Sequence, residues 1–102
     1  MTIPQLHAAS QSFSDQDLIL DVRTPMEFAG GRIPKAKLIP YDQVLGHLDE
    51  LKKYSSIYVY CKMGGRAYAV CEALDALKFP NVICIDEGGY PDWAAFGYPT
   101  ER

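Results

Sequence analysis

Short apolar runs along the chain predict buried strands of a parallel sheet. Each run is rich in β-branched or aromatic residues and lacks the alternation of a half-exposed strand. These runs are LILDV (18–22), IYVYC (57–61) and VICI (82–85). The run AKLIPY (36–41) is a weaker fourth candidate, since Pro40 cannot donate a ladder hydrogen bond. Ile3 is expected to begin a short edge strand before Pro4, which makes about five strands.

Between these runs, apolar residues recur at the spacing of a helix face. Residues 65–78 carry an apolar stripe at i, i+3, i+4 and i+7, and Pro80 ends it. Residues 42–51 show a weaker stripe that Gly46 interrupts, and 91–95 predict a last short helix. Strands that alternate with helices predict an α/β fold with a mostly parallel sheet.

Composition narrows the class of protein. The 102 residues suit one domain over 1–102, and 48% hydrophobic with 23% charged residues is typical of a folded globular chain. A net charge of −3 argues against a nucleic-acid partner, and no apolar run is long enough to cross a membrane. The first residues lack a basic segment followed by an apolar one, so a cytoplasmic location is expected.

The cysteines and histidines give no metal or disulfide pattern. The three cysteines, Cys61, Cys71 and Cys84, are an odd number without paired spacing, which fits a reducing compartment. His7 and His47 lie far from them, so we expect surface histidines, no metal and no cofactor. Cys71 lies on the helical stripe and Cys84 in a predicted strand, and both are expected to be inert core residues.

Cys61 stands where a predicted strand ends and a predicted helix begins. The residues that follow it are Lys62, Met63, Gly64, Gly65 and Arg66. Nearby cations and helix N-termini stabilise a thiolate, and two glycines let the backbone curl so that its N–H groups point inward. Taken singly, such a cysteine is usually a buried hydrophobe and such glycines a turn. The combination predicts an anion-binding loop around a nucleophilic Cys61, with Lys62 and Arg66 helping to hold an anionic substrate and Met63 at its crown.

Three stretches resemble the rhodanese family of sulfurtransferases. They are LILDVRTPMEFAGGRIPKAKLIPY, YCKMGGR and DEGGYPDWAAFGYP, which together span 18–99. The resemblance implies a three-layer sandwich, with a mostly parallel central sheet of about five strands and helices on both faces. Arg32 and Lys35 stand where the family usually has histidine and glycine, which leaves fine specificity open.

The resemblance also implies a persulfide relay. The Cys61 thiolate would take the outer sulfur of a small anion such as thiosulfate and pass it to cyanide, a thiol or a protein thiol. Asp21 and Arg23, which match the family's Asp-Val-Arg, would either support the loop or form a buried structural ion pair, and Glu27 is expected to join Arg23 or Arg32.

Two other functions stay open for this sequence. One is a non-catalytic sulfur-carrier or partner-binding module, since a fold does not settle function. A less favoured one is a phosphatase of the Cdc25 type or an arsenate reductase. Those phosphatases have one residue more between the cysteine and the arginine than the four here, and they carry histidine where this chain has Tyr60.

Overall fold

The central sheet has four parallel strands, in the order β2-β1-β3-β4. A computed structural model describes all 102 residues. The strands are β1 (Asp17–Asp21), β2 (Lys37–Leu38), β3 (Ser56–Tyr60) and β4 (Val82–Cys84). The expected α/β architecture with a parallel sheet is confirmed, whereas the expected count of about five strands is wrong by one.

Five α-helices and one 3₁₀ helix connect or flank the strands. The α-helices are α1 (Ile3–Ser10), α2 (Pro25–Gly30), α3 (Leu48–Leu51), α4 (Gly65–Ala76) and α5 (Tyr90–Ala95). The helix expected over 42–51 is instead a 3₁₀ helix, Tyr41–His47, followed by the single turn of α3. None of these helices has the length and apolar character needed to cross a membrane.

The missing fifth strand is explained by the N-terminus of α1. Ile3 is helical, because the hydroxyl of Thr2 accepts the N–H of Gln5 while the Gln5 side chain accepts the N–H of Thr2, and Pro4 fits the first helical turn. Thr2 keeps a single parallel bridge, to Glu87. These helix-start signals outweigh the β preference of one isoleucine.

Apolar side chains pack on both faces of the sheet. One cluster lies under α4 and includes Leu18, Leu20 and Cys61, and the other lies under α1 and α5 and includes Tyr60 and Trp93. The helices therefore cover both faces, as in a three-layer sandwich. Since successive residues of a strand point to opposite faces, Tyr60 and Cys61 face different layers.

Candidate active site

The sulfur of Cys61 takes the place of an N-cap for helix α4. Its Sγ accepts the backbone N–H of Gly64 at 3.1 Å and that of Ala67 at 3.3 Å. Helix α4 begins at Gly65, and Gly64 has no side chain with which to cap it. The first N–H groups of a helix carry partial positive charge, and two of these groups are donated to the Cys61 sulfur.

Gly64 is required by the shape of this loop. Its φ of +105° lies in a region that other residues avoid, and a Cβ at this position would stand 2.5 Å from the carbonyl oxygen of Asp86. The loop is thus pressed against the chain that follows β4. Gly89 packs as tightly on the carbonyls of Cys61 and Lys62, and the N–H of Tyr90 bonds to the carbonyl of Cys61 at 2.9 Å.

Several N–H groups of the loop have no acceptor within the protein. They belong to Lys62, Met63, Gly65 and Arg66. Cys61 is only 1% exposed, whereas Met63 is 80% exposed at the crown of the loop. Only a slender group could therefore reach the sulfur, and the unpaired N–H groups of the loop are donors of the kind that anion-binding loops use.

Arg66 is held by a carboxylate from α2. Its two terminal nitrogens donate to the two oxygens of Glu27 at 2.8 and 3.0 Å, and this pairing lowers the pKa of Glu27 to about 2. The expectation that Glu27 joins Arg23 or Arg32 is wrong. Thr24 and Glu27 cap α2 reciprocally, which fixes the carboxylate on the side of α4, and Arg32 lies over the ring of Phe28 instead.

Asp21 and Arg23 form a buried ion pair on the opposite face of the sheet. Asp21 Oδ2 accepts Arg23 Nη2 at 2.7 Å and the hydroxyl of Tyr60 at 2.6 Å, and the three residues are at most 4% exposed. Burial, with the nearby Asp21 charge, raises the pKa of Tyr60. The hydrogen bonds of Arg23 run to Asp21 and to the carbonyl of Gly31, none of them to the loop at Cys61.

The family model of the rhodanese-like domain matches residues 4–96. The chain belongs to the rhodanese-like domain family. A protein named sulfurtransferase from Allochromatium vinosum is 34% identical over 92 residues, which cover 88% of this chain and 85% of that protein. Thiosulfate sulfurtransferase 16, chloroplastic, from Arabidopsis thaliana is 34% identical over 97 residues, covering 80% of this chain and 78% of that protein.

A solved structure supports the same assignment. The rhodanese-related protein of Thermoplasma volcanium superposes with a TM-score of 0.85 at 28% identity, over 99% of this chain and 95% of that one. The resemblance of the three sequence stretches to rhodanese proteins is thereby confirmed, and so is the rhodanese-like fold.

The remaining cysteines of this rhodanese-like domain have a different environment. Cys71 on α4 and Cys84 on β4 are half-buried, and burial raises the pKa of both thiols. Neither sulfur accepts a backbone N–H, and the protein has no group of three or more histidine, cysteine, aspartate or glutamate side chains placed to hold a metal ion.

A cavity of about 450 Å³ lies away from the Cys61 loop. Its walls include Phe13, Ile33 and Trp93, and none of the loop residues lines it. Trp93 is 2% exposed and donates its indole N–H to the carbonyl of Pro99 at 2.7 Å, as expected of a core residue. The cavity is therefore separate from the Cys61 loop.

The sequence did not indicate that Glu27 belongs to this site. The usable signal was Thr24-Pro25-Met26-Glu27, a helix-start pattern with proline at the first helical position. This pattern predicts a short helix at these residues, but it does not predict that the carboxylate of Glu27 contacts Arg66.

Proposed function

We propose that this rhodanese-like domain is a sulfurtransferase that moves a sulfane sulfur through a persulfide on Cys61. The donor is thiosulfate or a related small anion, and the acceptor is cyanide or a thiol. The observation that supports this most directly is the pair of N–H groups, from Gly64 and Ala67, directed at the Cys61 sulfur. The sulfurtransferase names of similar proteins agree with it.

The reaction consists of two displacements at sulfur. The Cys61 thiolate attacks the outer sulfur of thiosulfate, the sulfur–sulfur bond of the donor breaks, and sulfite leaves with the bonding electron pair. The outer sulfur of the resulting persulfide then carries the negative charge. An acceptor anion attacks that sulfur and restores the thiolate; when the acceptor is cyanide, the product is thiocyanate.

The loop supplies binding and electrostatic stabilisation. The unpaired N–H groups of Lys62, Met63, Gly65 and Arg66 are suited to hold the donor and then the charged outer sulfur, without any rearrangement during the reaction. The Lys62 ammonium adds a positive charge at the rim. Asp21 and Arg23 support the end of β1 from the other face of the sheet and take no direct part.

A second candidate is a sulfur carrier that is loaded by a partner protein. The 80% exposure of Met63 beside the reactive sulfur favours it, because methionine is adaptable and is common at surfaces that bind protein partners. The phosphatase alternative gains no such support, because Arg66, the arginine that would bind phosphate, is already paired with the carboxylate of Glu27. Two expectations stay predictions: that residues 1–102 form one domain, and that the protein is located in the cytoplasm.

Mass spectrometry of the intact protein after incubation with thiosulfate tests the proposal. We expect the wild type to gain one sulfur atom and to lose it on addition of cyanide. Cys71→Ser and Cys84→Ser should load as the wild type does, while Cys61→Ser should not load. Loading of Cys61→Ser at the wild-type level would refute the assignment, and loading from a protein persulfide alone would favour the carrier.

A further inference from the structure

We propose that Glu27 sets the donor preference of the Cys61 site by cancelling the charge of Arg66, so that singly charged sulfane donors are favoured over doubly charged ones. The inference rests on the proposed persulfide chemistry and refines it. Glu27 lies on α2, and its carboxylate makes no hydrogen bond to Cys61.

The geometry of the ion pair supports this role. Both oxygens of Glu27 are bonded to Arg66, at 2.8 and 3.0 Å, and the two side chains are only 28% and 27% exposed. A bidentate pair of this kind holds its geometry, and the carboxylate stays ionised because the pairing lowers its pKa to about 2. At neutral pH the guanidinium of Arg66 is therefore permanently matched by a negative charge.

Because Arg66 is paired with Glu27, the side chains of the loop carry only one uncompensated positive charge. Lys62 is exposed and makes no ion pair, so it is the remaining cation next to Cys61. The backbone N–H groups bind singly and doubly charged anions alike. The second negative charge of a dianion, however, is stabilised only where the site carries a net positive charge. Thiosulfate carries that second charge in its sulfonate group, while a thiosulfonate carries a single charge and the same transferable sulfur.

Two donors that differ by one charge isolate this effect. Methanethiosulfonate is thiosulfate with one oxygen replaced by a methyl group, and it releases methanesulfinate where thiosulfate releases sulfite. The measured quantity is the ratio of kcat/KM for thiosulfate to that for methanethiosulfonate. Differences in intrinsic reactivity of the two donors cancel when this ratio is compared between variants.

Glu27→Gln is the informative variant. Glutamine still accepts the N–H of Thr24 in the cap of α2, but it no longer neutralises Arg66. We expect the ratio to rise about fivefold, the size typical of one partly exposed charge, and the rise to shrink as salt is added. Glu72→Gln, at an exposed position of α4, removes the same charge elsewhere and should change the ratio less than twofold.

The double variant Glu27→Gln with Arg66→Gln separates charge from structure. It restores the net charge of the wild type, so its ratio should return to within about twofold of the wild-type value. A ratio unchanged in Glu27→Gln, or one that stays raised in the double variant, would overturn the inference and leave the persulfide chemistry standing. Failure of the wild type to load from either donor would instead overturn the proposed function and the inference together.

Discussion

Gly64→Ala should destabilise the protein more than any other glycine substitution in the loop. The φ of +105° costs an alanine about 1–2 kcal/mol. The new Cβ would also stand 2.5 Å from the backbone oxygen of Asp86, which is rigid and cannot swing away as a flexible side chain does. Moving the backbone to relieve that contact adds about 1–2 kcal/mol, so we expect a total loss of about 2–4 kcal/mol.

The neighbouring glycine provides a matched control. Gly65 is the first residue of α4, its φ is not positive, and a Cβ there would meet nothing within 4 Å. Alanine is the better helix former, so Gly65→Ala should leave the free energy of unfolding unchanged or raise it by about 0.5–1 kcal/mol. The two variants add the same methyl group one residue apart and should differ by about 3 kcal/mol.

Urea denaturation followed by circular dichroism measures both values. The midpoint should fall for Gly64→Ala while the slope stays the same, because the native fold is weakened and not replaced. Sulfur loading of the folded variant should also slow, since the relaxed loop moves the Gly64 N–H away from the Cys61 sulfur. Losses of stability within about 0.5 kcal/mol of each other for the two variants would show that the loop is not confined as described.

Two further predictions concern the ion pairs. Asp21→Ala leaves the buried Arg23 guanidinium without its carboxylate and should cost about 3–5 kcal/mol, whereas Tyr60→Phe removes one hydrogen bond and should cost about 1–2 kcal/mol; equal costs in urea denaturation would contradict a buried ion pair. Glu27 has its pKa lowered from 4.5 to about 2 by Arg66, so its pairing contributes in full above pH 4.5 and is lost as the pH falls from 4.5 to about 2. The free energy of unfolding of the wild type should exceed that of Glu27→Gln by about 1 kcal/mol at pH 7, and the difference should disappear in acid. If the pair were not formed, the two proteins would be equally stable at every pH.

The elements that the sequence predicts best are those with long or fully apolar patterns. The stripe over 65–78 corresponds to α4, and the runs at 18–22 and 57–61 correspond to β1 and β3 within one residue at each end. The short elements are harder to predict from the sequence. Helix α2 is six residues long, too short for a periodic stripe, and only its capping residues mark it.

The loop itself follows from local chemistry, while its partners do not. A cysteine at the end of a strand, two glycines and a following helix are all visible along the chain, and they place N–H groups around the sulfur. The pairing of Arg66 with Glu27 joins residues 39 positions apart, one on α4 and the other on α2. Sequence reasoning treats Arg66 as a free cation because nothing near it in the chain carries the matching charge.

The three cysteines show that the environment of a thiol depends more on its position at the carboxyl end of a strand than on its burial. All of them contribute to the apolar layer under α4, and Cys61 is the most buried, at 1% exposure. Burial alone would therefore make Cys61 the least reactive thiol. Cys84 lies within the edge strand β4, in register with Val59, and no backbone N–H is donated to its sulfur. Cys61 lies one residue beyond the end of β3, where the N–H groups of Gly64 and Ala67, at the start of α4, donate to its sulfur and replace part of the hydration that burial removes.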